Sequence, residues 1–137
     1  FINMVRDGRS VVTSKHVLNK SEYWVSPNQW VTDVKAGLQL EDHPQVITVR
    51  YEDLTSDYMK TLERICAFVD EPFTEREFKN YPETGKTLTM QHSSREPREV
   101  QKQSDDRWKA PEHREVVEEL LSIPEAKRLL RHYDYLD

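Results

Sequence analysis

The chain has 137 residues, 36% of them hydrophobic and 33% charged, with a formal net charge of −5. That length suits one domain with a useful buried core. Three Trp, six Tyr and four Phe argue against an unfolded polar chain, and the acidic balance excludes a general nucleic-acid surface, so an anion site must rest on a local cluster of basic residues.

The single cysteine, Cys66, excludes an internal disulfide or a cysteine-based zinc site within one chain. No run is long and apolar enough to cross a bilayer, and none reads as a signal peptide.

Phe1 to Val5 is a short apolar run and predicts a buried strand. Asp7-Gly8 predicts a tight turn, and Arg9 to about Asn19 a helix with Val11, Ser14 and Leu18 on one face. Ser26-Pro27 predicts the start of a second helix, Ser as N-cap and Pro at the first position, with Trp30, Val34 and Leu38 as its apolar stripe. Asp42-His43-Pro44 reads as a loop. Val46 to Tyr51 is β-branched and alternating, and predicts a second strand.

Thr55 or Ser56 is expected to cap a third helix, with Met59, Leu62, Ile65 and Val69 on one stripe and Glu71-Pro72 as its stop. Thr74 to Lys79 reads as a short helix. Gly85 to Lys109 has no clear period and reads as a long functional loop. Pro111 opens a final helix carrying Val116, Val117, Leu120 and Leu121. Pro124 to Arg131 follows, and Tyr133 and Tyr135 are expected to dock the tail.

Strand, helices, strand and helix in this order predict an α/β layer with a parallel pair flanked by helices. Two strands do not make a sheet with covered faces. Phe1 also begins inside a strand. The expectation is therefore the C-terminal portion of a larger domain, with self-association through uncovered apolar sheet surface left open.

Ligands in open α/β sheets sit outside the carboxyl ends of strands, and Arg6 stands at such an end. A guanidinium fork, backbone N–H groups at a helix start and the Ser14 hydroxyl would together suit a phosphate. The plainer alternatives are an Arg6 pairing with Asp7 or Glu52, and a Ser14 hydroxyl bonded back to the Ser10 carbonyl. Arg9 opposes the helix dipole unless an anion binds nearby, and Arg9 and Lys15 otherwise read as solvated residues. Tyr51-Glu52-Asp53-Leu54 lies at the other expected ligand edge, where Asp53 or Thr55 also suits a helix cap. The five histidines show no metal-ligand spacing, so no metal is assigned. His16 lies about 200° around the helix from Ser14 and reads as solvated or packed rather than as a base.

The segment Met4-Val5-Arg6-Asp7-Gly8-Arg9 through Ser14 resembles the 3′-phosphate-binding segment of sulfotransferases that use 3′-phosphoadenosine 5′-phosphosulfate (PAPS), and its wording is similar to that of protein-tyrosine sulfotransferases and their broader relatives. Tyr51-Glu52-Asp53-Leu54 is similar to the segment in which the family places a tyrosine beside the adenine. The stretch ending Arg107-Trp108-Lys109 resembles a late loop that supplies a serine and a basic residue before a tryptophan. The protein-tyrosine enzymes have lysine where Arg107 stands.

The resemblance implies a P-loop-kinase-like α/β fold and PAPS as donor. It implies that Arg6 and Ser14 hold the 3′-phosphate, that Tyr51 lies against adenine, and that Arg107 with Ser94 (or Ser93) closes from the far side. The alternative for that late stretch is an exposed linker whose charges cancel in pairs, Arg95 with Glu96 and Arg98 with Glu99.

In the family, the loop for the 5′-phosphosulfate and the usual catalytic base precede this region. Residues 1–137 are therefore expected to be the 3′-phosphate half of a sulfotransferase domain, inactive alone. The implied reaction moves a sulfuryl group to a hydroxyl or amine acceptor, with no metal, and no catalytic residue is assigned. Another nucleotide-binding kinase-like enzyme and a noncatalytic interaction module remain as alternatives; no Gly-x-x-x-x-Gly-Lys-Ser/Thr loop occurs in the chain.

Overall fold

A computed structural model describes residues 1–15, 22–79 and 105–137. His16, Leu18, Ser93, Ser94, the paired charges after them and most of the expected long loop lie outside the described residues. The chain divides into two compact units, one of Phe1–Tyr51 with Ser104–Asp137 and one of Glu52–Gln103.

In the first unit, strands β1 (Ile2–Val5) and β2 (Ile47–Arg50) pair in parallel, with Ile2 opposite Ile47 and Val5 opposite Arg50. The α/β class and the parallel pairing are as the sequence predicts. Burial of β1 is not. Val5 is buried, but Ile2 and Met4 are 47% and 50% exposed. Strand side chains alternate between faces. Asn3 lies against helix α2 (Pro27–Leu38), its amide within 2.8 Å of where a Cβ on Gly37 would stand. Ile2 and Met4 belong to the opposite face, which the described residues leave open.

Helix α1 runs only from Gly8 to Val12, well short of the expected Asn19. Thr13 and Ser14 explain the early end. The Thr13 hydroxyl donates to Arg9 O at 2.7 Å, and the Ser14 hydroxyl donates to Ser10 O at 2.9 Å. Such side-chain bonds compete with the backbone ladder, and the β-branched Val11-Val12-Thr13 run adds little helix propensity. The chain then turns, and Lys15 makes an antiparallel bridge to Tyr23.

Helix α2 begins as predicted, with Ser26 Oγ accepting from the Gln29 amide at 3.2 Å and Pro27 in the first turn. Trp30 is its buried anchor, and Val34 and Leu38 are partly buried beside it.

Around residue 51 the expected capping differs. Tyr51–Ser56 is itself a short helix, α3, in which the Thr55 hydroxyl donates to Glu52 O at 3.1 Å. In the second unit, α4 (Tyr58–Phe68) follows Asp57 as N-cap. Its best-buried residues are Thr61 and Cys66, while Val69 is 44% exposed. The helix stops before Glu71-Pro72, because Asp70 takes a left-handed φ of 58° and the Glu71 amide reaches back to Cys66 O at 3.0 Å. A short helix, α5 (Glu75–Lys79), comes next.

The described chain resumes in the first unit with a 3₁₀ turn, Asp105–Lys109, where a loop was expected. A second 3₁₀ turn, Pro111–His113, leads into α6 (Arg114–Ser122) and then α7 (Pro124–His132). Val12, Trp30, Val117, Leu120, Leu129 and Leu130 are central to the core that joins α1, α2, α6 and α7. Each such side chain, fully buried, stabilises the fold by about 1.5–3 kcal/mol. The tail docks as predicted: Tyr133 is buried, and Arg50 lies over the Tyr135 ring at 5.0 Å.

Candidate functional site

The register of the two strands determines what stands at their carboxyl ends. Because Val5 is opposite Arg50, Arg6 falls opposite Tyr51. The Arg6 guanidinium carbon is 4.4 Å from the Tyr51 ring centroid, a cation–π contact that keeps the cation beside the strand ends.

Gly8 lets α1 start tight against the core. A Cβ there would lie 2.8 Å from carbons of the Trp30 ring. Asp7, buried at 4% exposure, caps α1 by accepting from the Arg9 amide at 2.9 Å. The start of α1 is thus partly satisfied by the chain's own carboxylate, unlike the open N–H cradle expected from the sequence.

Arg9 is not a solvated cation. Its Nε and Nη2 donate to the Asp7 carboxylate at 3.0 and 2.7 Å, and Nη2 also donates to Tyr135 O at 2.7 Å. Its guanidinium lies 4.2 Å from the Trp108 ring centroid. This clamp ties α1 to the tail and to the 3₁₀ turn that carries Arg107.

Beside these elements is a cavity of about 370 Å³, at the small end of ligand sites. Arg6, Lys15 and Arg107 line it, as do Ser10, Thr13 and Ser14. Trp108 and His113 complete the lining, and there is no carboxylate among the described residues that form it. Three cations and three hydroxyls around one small space are suited to an anion.

Arg6, Ser14 and Arg107, which the sequence singles out, are therefore brought together. Tyr51 is joined to them through its contact with Arg6, although it is not part of the lining. Ser94 lies outside the described residues. Ser14 stands just past the end of α1, its hydroxyl bonded to Ser10 as the plainer reading had it. To contact an anion, that hydroxyl must turn its one proton away from Ser10 O. Sequence reasoning left Lys15 as a solvated residue and did not single out Ser10, Thr13 or His113. Lys15 alone carried a signal, a cation one residue beyond Ser14.

Among the described residues, no cluster of His, Cys, Asp and Glu is arranged to hold a metal ion, and no helix is long and apolar enough to cross a membrane.

The chain is thus an α/β protein with a parallel strand pair and, beside Arg6 at one strand end, a basic cavity whose described lining has no carboxylate. The sulfotransferase domain model matches residues 2–119, and the chain belongs to that family. No curated protein and no solved structure matches the chain.

Proposed function

We propose that the chain supplies the 3′-phosphate and adenine side of the donor site of a PAPS-dependent sulfotransferase with a P-loop-kinase-like sheet. The observation that carries this reading is the convergence of Arg6, Ser14 and Arg107 on one small cavity without a carboxylate, in a chain whose net charge is −5. Family membership supplies the chemistry.

In this reading the Arg6 fork and the Ser14 hydroxyl hold the 3′-phosphate, and Arg107 approaches it from the 3₁₀ turn. Tyr51 backs Arg6 and offers its ring to adenine, while Ser94 adds a hydroxyl from the loop. Binding energy spent on the 3′-phosphate positions the distant 5′-phosphosulfate for in-line transfer. The sulfur–oxygen bond to the 5′-phosphate breaks as a bond forms from sulfur to an acceptor oxygen or nitrogen. The acceptor loses its proton, and 3′-phosphoadenosine 5′-phosphate (PAP) departs.

Calorimetry on the full-length protein with PAP, adenosine 5′-phosphate (AMP) and ATP tests the reading. Preference for PAP is expected. Equal binding of AMP, or preference for ATP, would overturn it in favour of another nucleotide enzyme. No binding of any of the three would favour an interaction module.

A further inference from the structure

We infer that His113 is a further anion ligand of this cavity, aimed by Tyr23 so that its Nε2 meets an oxygen of the bound 3′-phosphate. The inference rests on the donor reading above.

His113 ends the 3₁₀ turn Pro111–His113 and is only 7% exposed, yet its ring lines the cavity with Arg6, Lys15 and Arg107. Its Nδ1 is 3.0 Å from the Tyr23 hydroxyl oxygen, and that hydroxyl is 3.1 Å from Glu112 O. A carbonyl only accepts, so the single phenolic proton goes to Glu112 O. The hydroxyl oxygen then accepts, and Nδ1–H donates to it. This leaves Nε2 as the ring nitrogen not engaged by Tyr23, on a residue that lines the cavity.

The two rings meet edge to face, with centroids 5.7 Å apart, which fixes the imidazole plane. Tyr23 is itself held by the backbone bridge to Lys15, next to Ser14. One pairing therefore carries the chain from the phosphate hydroxyl to the residue that orients the histidine. A phosphate monoester suits such a nitrogen in either protonation state. A neutral ring accepts the proton of a monohydrogen ester, and a protonated ring donates to the dianion. The same polar geometry inside an apolar core would leave Nε2 without use.

The test is calorimetry with PAP and AMP on the full-length protein and its H113A, H113N, H113Q and Y23F variants. Asn places its amide nitrogen near the position of Nδ1, and Gln near that of Nε2. His113→Ala and His113→Asn are expected to weaken PAP binding about tenfold to a hundredfold and to leave AMP binding unchanged. His113→Gln is expected to restore most of the loss, and Tyr23→Phe to show a smaller loss, also confined to PAP.

A general packing role would weaken both nucleotides together and show no rescue by Gln. If the alanine variant fails to fold, the Asn and Gln pair decides. PAP preference retained in full by the Asn variant overturns the inference alone. A wild-type protein without PAP preference overturns the donor reading and this inference with it.

Discussion

Arg6 stacks over Tyr51 at 4.4 Å although 45 positions separate them, because the parallel register sets Val5 beside Arg50 and sends both chains off the sheet together. Stacking on an aromatic face fixes the plane of the guanidinium at the strand ends. Arg6→Lys should therefore fail to substitute: a lysine point charge has neither the fork nor the planar stack.

Ser14 differs from Arg6 in what it has to give up. Its proton is donated to Ser10 O before any ligand arrives. Ser14→Ala should weaken PAP binding by only about twofold to tenfold, the range of an ordinary hydrogen bond after exchange. It should leave folding stability within about 0.5 kcal/mol, since the bond lies beyond the end of α1. Calorimetry and urea unfolding together check both numbers.

Gly8 sets the distance between α1 and the core. Alanine would gain about 1 kcal/mol in helix propensity. Its Cβ would press within 2.8 Å of the Trp30 ring, which is 3% exposed and has little room to yield. Overpacking typically costs 1–3 kcal/mol. Gly8→Ala should be a net destabilisation of about 1 kcal/mol by urea midpoint, and should also weaken PAP binding by moving Ser10 and Ser14. A stabilised variant would contradict this packing.

Tyr133 carries the clearest pH dependence. Burial pushes its phenol above the ordinary value near 10, and the Glu41 carboxylate adds to the shift. The folded state then binds the phenolic proton more tightly than the unfolded state. Stability from this group is full below the unfolded value and is lost as pH rises from there through the folded value. The hydroxyl is buried and has no hydrogen-bond partner among the described residues. Tyr133→Phe should raise stability by about 1 kcal/mol at neutral pH and shrink the alkaline loss, as urea unfolding at pH 8 and pH 11 would show.

The placement of Arg6, Ser14 and Tyr51 near one sheet edge was legible in the sequence because it is local or follows from strand order. Arg6 stands at a strand end, Ser14 follows eight positions later, and the second strand brings Tyr51 to the same edge. The short length of α1 was not legible. Thr13 and Ser14 end the helix through hydroxyl bonds that leave the hydrophobic period through Val11 and Leu18 intact.

Arg9 was misread for a different reason. The carbonyl it binds belongs to Tyr135, 126 positions away, and no local pattern announces such a partner. His113 was invisible likewise, because its meaning depends on Tyr23 and on the packing of α6 against α1.

The most direct measurement of the central claim is PAP and AMP binding by Arg6→Ala in the full-length protein, with thermal unfolding alongside to confirm the fold. The account predicts a variant that folds, binds AMP as the wild type does, and has lost the preference for PAP, a loss of about tenfold to a hundredfold. A folded variant that keeps its full PAP preference would contradict the account and move the 3′-phosphate away from Arg6.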